Sequence, residues 1–196
     1  MVQLVEALNR ELAQFAPEYV SEPQRAIFRI YRDTRFSGDK TPYKTHIAAW
    51  FPRRGAGRSS GGGFYISVSS EEIDIAGGIY HPETETMLRV RAHIAEYHEE
   101  LRRILARGQI RRLMGDLRGD ELSRAPKGYS PDHPGIDLIK KKDWILDANL
   151  DPALATTPKL LREIADRFRA MAPFVEFLNR PLNAPTPAKQ LRDFFD

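Results

Sequence analysis

The sequence predicts an α+β fold: a mainly antiparallel sheet of about five strands with helices packed on one face. Three observations predict it. Four β-branched or aromatic segments, residues 26–32, 45–51, 63–69 and 73–80, crowd together, and the connections after the second are too short to hold crossover helices, so antiparallel pairing follows. Stretches of helical periodicity flank this group on both sides. A further strand-like run, residues 143–150 (DWILDANL), comes late and supplies the fifth strand.

Taken in order, Leu4, Val5, Leu8, Leu12 and Phe15 recur at helical spacing, which opens the chain as a helix. Residues 55–63 (GAGRSSGGG) read as a flexible hairpin connection, since they lack both the Gly-Lys-Ser/Thr ending and the following helix of a phosphate loop. After Pro82, residues 83–107 form a long amphipathic helix with Met87, Leu88, Val90, Ile94, Tyr97, Leu101, Ile104 and Leu105 on its buried stripe, followed by a short helix over 109–114. The Pro- and Gly-rich loop from Ser123 to Pro134 leads into a short helix over 134–141. Thr157 followed by Pro158 is an N-cap with proline at the first helical position, starting a final helix towards Leu178. Residues 1–182 read as a single domain and 183–196 as a loosely ordered tail with a last turn at 191–195; no internal repeat is seen.

Composition narrows the classes. A 41% hydrophobic and 29% charged chain of 196 residues is ordinary globular composition. Cysteine is absent, which removes disulfides, thiolate metal sites and a cysteine nucleophile and favours the cytoplasm. The first residues hold no basic region followed by an apolar run, so no signal peptide is expected, and no run of roughly 18 apolar residues predicts a membrane span. Net charge is only +3, yet Arg102, Arg103, Arg107, Arg111, Arg112 and Arg118 cluster, as do Lys140, Lys141 and Lys142. Such patches permit an anionic partner without demanding one, and a solvated helical face is the leading explanation of the arginine cluster.

Alternation along strands sorts residues between two faces. One face collects Phe28 and Ile30; Ile47, Ala49 and Phe51; Phe64, Ile66 and Val68; and Ile73, Ile75 and Ile79. The other collects Arg29, Tyr31 and Asp33; His46, Ala48 and Trp50; Tyr65, Ser67 and Ser69; and Asp74, Ala76, Gly78 and Tyr80. The first is a continuous apolar surface for helices to cover. The second rings small residues with tyrosine, arginine and histidine, which is the composition of a pocket, although a solvated face with Arg29 and Asp33 paired for structure is the alternative.

Between the first two predicted strands runs RDTRFSGDKTPYKTH, Arg32 to His46. It resembles the signature of a bacterial and fungal family known as domain of unknown function 2461. Gly77 to Tyr80 with Pro82, the Pro126 to Tyr129 and Asp132 to Pro134 loop, Lys142 to Trp144 and Pro173 to Asn179 resemble that family too, so the likeness runs from about Leu4 to Leu182. The resemblance implies no activity. It does imply a further helical segment, rich in aromatic, Asn and Arg residues, ahead of what is here the first helix, so that either the start is set late or a covering element is missing.

Read physically, the loop offers Arg35, Lys40 and Lys44 as cations, with Ser37 and Thr45 as hydroxyls; Lys127 adds a charge from the Pro-Gly loop. Arginine presents a planar fork to carboxylate or phosphate, and lysine a point charge. The expected site is therefore Arg29, Tyr31, Asp33, Arg35, Lys40, Lys44, His46, Tyr65, Tyr80 and Lys127, holding an anionic, phosphate- or carboxylate-bearing small molecule, with His46 or Tyr31 as acid or base if the protein is an enzyme. The structural alternative has Asp33 and Asp39 absorb those cations. The competing function is a nucleic-acid or acidic-protein binding module using the helix arginines and Lys140 to Lys142. His93 and His98, five apart, face different ways on a helix and have no completing carboxylates, so no metal is expected. A triad drawn from Ser67, His46 and Asp33 or Asp74 lacks a nucleophile elbow, and no dinucleotide fingerprint is present. Cofactor, reaction and oligomeric state are not legible.

Overall fold

A computed structural model describes residues 1–31, 43–55 and 60–183. Among them six helices accompany one four-stranded antiparallel sheet of order β1-β2-β3-β4, with β1 His46–Pro52, β2 Gly63–Ser69, β3 Ile73–Ile79 and β4 Trp144–Leu150. The helices are α1 Val2–Phe15, α2 Pro23–Ala26, α3 Thr84–Leu105, α4 Gly108–Met114, α5 Ile136–Ile139 and α6 Leu160–Asn183.

The strand count is four, and the strand expected at 26–32 accounts for the difference. Pro23 starts a turn of helix there, and beyond Ala26 the described backbone pairs with the sheet through the isolated Ile27–Ala49 bridge and the bond from Phe28 N to the Ala48 carbonyl, 2.9 Å. A bordering segment results, not a full ladder. The other edge is similar: residues 118–122 run beside the start of β4, with Arg118 and Ile145 exchanging both backbone hydrogen bonds.

The covered face follows from alternation. Ala49, Phe51, Phe64, Ile66, Ile73, Ile75, Ile79, Trp144 and Leu146 are all buried there. α6 lies across β2 and β3, and α1, α3 and α4 pack against α6 in turn. Phe168 of α6 inserts between Phe51 and Phe64, with ring centroids 5.8 and 4.9 Å away. Each such side chain withdrawn from water contributes roughly 1.5–3 kcal/mol, and this layer is the main source of stability.

In α3 the predicted stripe holds at Val90, Ile94, Leu101 and Ile104 but fails at Tyr97, which is 42% exposed. Tyr97 sits at a break in the helix, φ −118° and ψ 28°, and the altered phase turns its ring outward. α6 continues to Asn183, past the Leu178 towards which the sequence runs the final helix. The proposed tail turn at 191–195 lies outside the described residues.

A cleft on the uncovered sheet face

The uncovered face is built by register. Trp50 lies opposite Tyr65, Tyr65 opposite Ala76, and Ala76 opposite Asp147, so one row crosses all four strands. Adjacent rows place Ala48 opposite Ser67 and Ser67 opposite Asp74, while Gly63, Gly78 and Ile145 fall in line on the other side. Trp50 and Tyr65 on one side and Ile145 on the other flank the small Ala76 and Gly78, which leaves a hollow. The cleft encloses about 640 Å³ and is lined by Phe28, Trp50, Tyr65, Tyr80 and Ile145, with Asp74, Asp147 and Arg118 as its charged members.

Its floor depends on one backbone approach. Gly78 has φ +132°, and a Cβ there would sit 2.0 Å from the Trp144 carbonyl oxygen, so only glycine lets β3 and β4 close at this point. Gly119 does the same for the bordering segment, with φ +132° and the Asp143 carbonyl oxygen 2.1 Å from a Cβ position. That approach holds Arg118 beside β4. The aromatic walls are set at angles: Phe28 and Tyr65 have centroids 6.2 Å apart and planes at 71°.

The charged groups share one side. Arg118 Nε lies 3.0 Å from Asp147 Oδ1, but that buried oxygen is off the N–H direction, so the contact is an ion pair without a hydrogen bond. Asp74 and Asp147 stand diagonally on neighbouring strands of the same face, where side chains come within reach of each other. Burial, first, then the negative charges of Asp147 and Glu72, push the Asp74 carboxyl up to about 6, while Arg118 opposes the rise. Burial likewise raises the Tyr65 hydroxyl, and the Ser67 side chain opposes that rise. The Trp50 indole nitrogen is buried without a hydrogen-bond partner. Chemically, the cleft offers angled π faces, an acid able to hold a proton in weakly acidic solution, and a second carboxylate nearby.

Of the ten residues expected from sequence, Tyr65 and Tyr80 line the cleft. Lys44 stands at its wall, with Nζ 5.4 Å from the Phe28 ring centroid. His46 shares the face by alternation but lies at the far end of β1, opposite Ser69. Arg29 and Tyr31 are exposed on the bordering segment, the Tyr31 ring stacking obliquely on Tyr43 at 5.5 Å, and Lys127 is exposed on its loop; none of the three lines the cleft. Asp33, Arg35 and Lys40 lie outside the described residues.

The phase of the 26–32 segment needs correction: Ile27 packs on the core, and Phe28, assigned by alternation to the covered face, is a cleft wall. Asp74 falls on the open face as expected but was not counted in the site, and Asp147 was reachable only by extending the alternation to 143–150. Arg118 carries no sequence signal, because its place comes from a long-range backbone pairing. Of the basic patches, Arg102 pairs with Asp137 at 2.6 Å and Lys141 with Glu121 at 2.8 Å, which occupies part of their charge. Among the described residues no group of three His, Asp or Glu is placed to hold a metal ion, and no helix is long and apolar enough to cross a membrane.

These features define an α+β protein whose sheet is helix-covered on one face and hollowed into an aromatic and acidic cleft on the other. The chain belongs to the family described as conserved hypothetical protein (DUF2461), whose sequence profile matches residues 1–177. No curated protein and no solved structure matches it.

Proposed function

We propose that this chain binds a small molecule in the cleft of its uncovered sheet face. One observation carries the reading: a hollow of about 640 Å³ whose apolar walls converge on a few charged groups, within the roughly 300–1,000 Å³ of small-molecule sites. Angled aromatic walls suit a ligand with a flat or apolar face, and the carboxylates of Asp74 and Asp147 suit hydrogen-bond donors on its edge.

The test is a thermal-shift and NMR screen of metabolites against the wild type and Ala76→Trp, in which an indole fills the floor. Saturable binding that shifts the Trp50 indole N–H and disappears in Ala76→Trp supports the reading. Absence of any saturable hit, or hits indifferent to the plug, removes it.

A second reading keeps the anionic ligand and is supported by Lys44, whose ammonium reaches the Phe28 wall. On that reading inorganic phosphate or a carboxylate binds at the Lys44 end, and Lys44→Ala or Arg29→Ala weakens it more than tenfold, since charge-assisted contacts are worth about 2 kcal/mol. Equal affinity in wild type and both variants removes it.

A further inference from the structure

Charge balance inside the cleft narrows the ligand class. Of the described charged residues lining it, Asp74 and Asp147 are acids and Arg118 is a base, while Lys44 stands outside that lining, against the Phe28 ring at the rim. Arg118 directs most of its surface outward, its side chain being 70% exposed, whereas Asp147 is 20% exposed, so the negative member of that pair is the one turned inward. The walls add the faces of Phe28, Trp50, Tyr65 and Tyr80, which carry partial negative charge. A partly desolvated hollow with one uncompensated carboxylate and several π faces is complementary to a single positive charge.

Resting on the small-molecule reading above, we infer that the cleft takes an organic cation, a small ammonium-bearing molecule whose charged head lies between Asp74 and Asp147 and whose apolar body packs on the angled Phe28 and Tyr65 rings. A cation between the two carboxylates offsets the repulsion they exert on each other. The arrangement also gives a pH signature. The groups facing Asp74 are Asp147 from β4, Glu72 at the start of β3, Arg118 from the bordering segment, and Tyr65 and Ser67 from β2, with His46 and Lys44 further along β1 and its approach. Asp74 is the carboxyl that burial and its acidic neighbours raise to about 6. Below that value the cleft loses its excess negative charge, and cation affinity falls with it.

The experiment uses three probes of one shape and three charges: benzylamine, benzyl alcohol and benzoate, titrated into the protein and followed by the NMR shift of the Trp50 indole N–H. Benzylamine should bind roughly tenfold more tightly than benzyl alcohol, as one ion-paired hydrogen bond provides, and benzoate least tightly. Asp74→Asn should erase most of the advantage of benzylamine over benzyl alcohol. In the wild type, lowering the pH from about 7.5 to about 5 should weaken benzylamine alone, a measurement that does not depend on the variant folding. Equal affinity for the three probes, or preference for benzoate, overturns the cation assignment and leaves the cleft as a small-molecule site. Failure of every probe to shift cleft residues overturns both.

Discussion

The two faces of the sheet are made by the same four strands and the same alternation, yet one is solid and the other hollow. On the covered face neighbouring strands present Phe51, Phe64 and Ile75, and α6 meets them with Phe168 and Met171, all fully buried. On the open face the cleft lies over Ala76 and Gly78 of β3, and the large side chains of Phe28, Trp50, Tyr65, Tyr80 and Ile145 stand around it. The difference teaches that a pocket arises here from residue volume and from what the flanking chain covers, because pleat and pairing are common to both faces.

The largest expected effect sets adjacent residues of β2 against each other. Phe64→Ala should cost about 3–5 kcal/mol in urea unfolding, since it empties a site shared with Tyr19 and Phe168. Tyr65→Ala, one residue on and half-buried, should cost less than half as much. Similar losses would mean that the open face is packed like the core, and the comparison would break.

Next comes Gly78→Ala, which tests whether the hollow face is tolerant throughout. With a Cβ aimed at the Trp144 carbonyl and φ at +132°, it should lose about 1–3 kcal/mol by thermal unfolding despite adding a single methyl group. A neutral outcome would show that β3 and β4 can separate without cost.

A smaller effect depends on pH. The folded Asp74 carboxyl titrates near 6 against an ordinary 3.8, so folding disfavours its ionised form. The folded state then binds more protons than the unfolded one in that interval, and this group's contribution is full below about 4 and lost as pH rises through about 6. Discounted for partial exposure, the loss is about 1 kcal/mol. Asp74→Asn should be the more stable protein at neutral pH and lack this slope in a series of urea midpoints. An unchanged slope would assign it to another group.

The smallest effect is Arg118→Ala. Its guanidinium is mostly exposed although the Asp147 carboxylate it faces is mostly buried, so stability should fall by about 1 kcal/mol or less, while the Asp74 carboxyl, deprived of the cation that opposes its rise, should titrate higher still by carbon NMR. A downward or absent shift would detach Arg118 from the acid pair.

By itself the sequence determined the α+β class, the family, and the extents of the sheet's four strands to within a residue. β1 to β3 are short segments whose period of two is unambiguous, joined by connections too short for anything but hairpins, and β4 could be read the same way. The open face was legible as a set through Tyr65, Asp74, Ala76, Gly78 and Tyr80, because alternation alone assigns them. Only the tertiary structure decided the rest. AIFRIYR has strand composition, but Pro23 and a helical turn shift its phase, so that Phe28 becomes a wall and Arg29 faces solvent. Arg118 reaches the cleft through backbone pairing with β4, some 27 residues further along the chain, which leaves no trace in residue type. The proton affinity of Asp74 comes from burial and from Asp147 on the neighbouring strand. Periodicity is local and can be read along the chain; desolvation and charge proximity belong to residues that are neighbours only after folding.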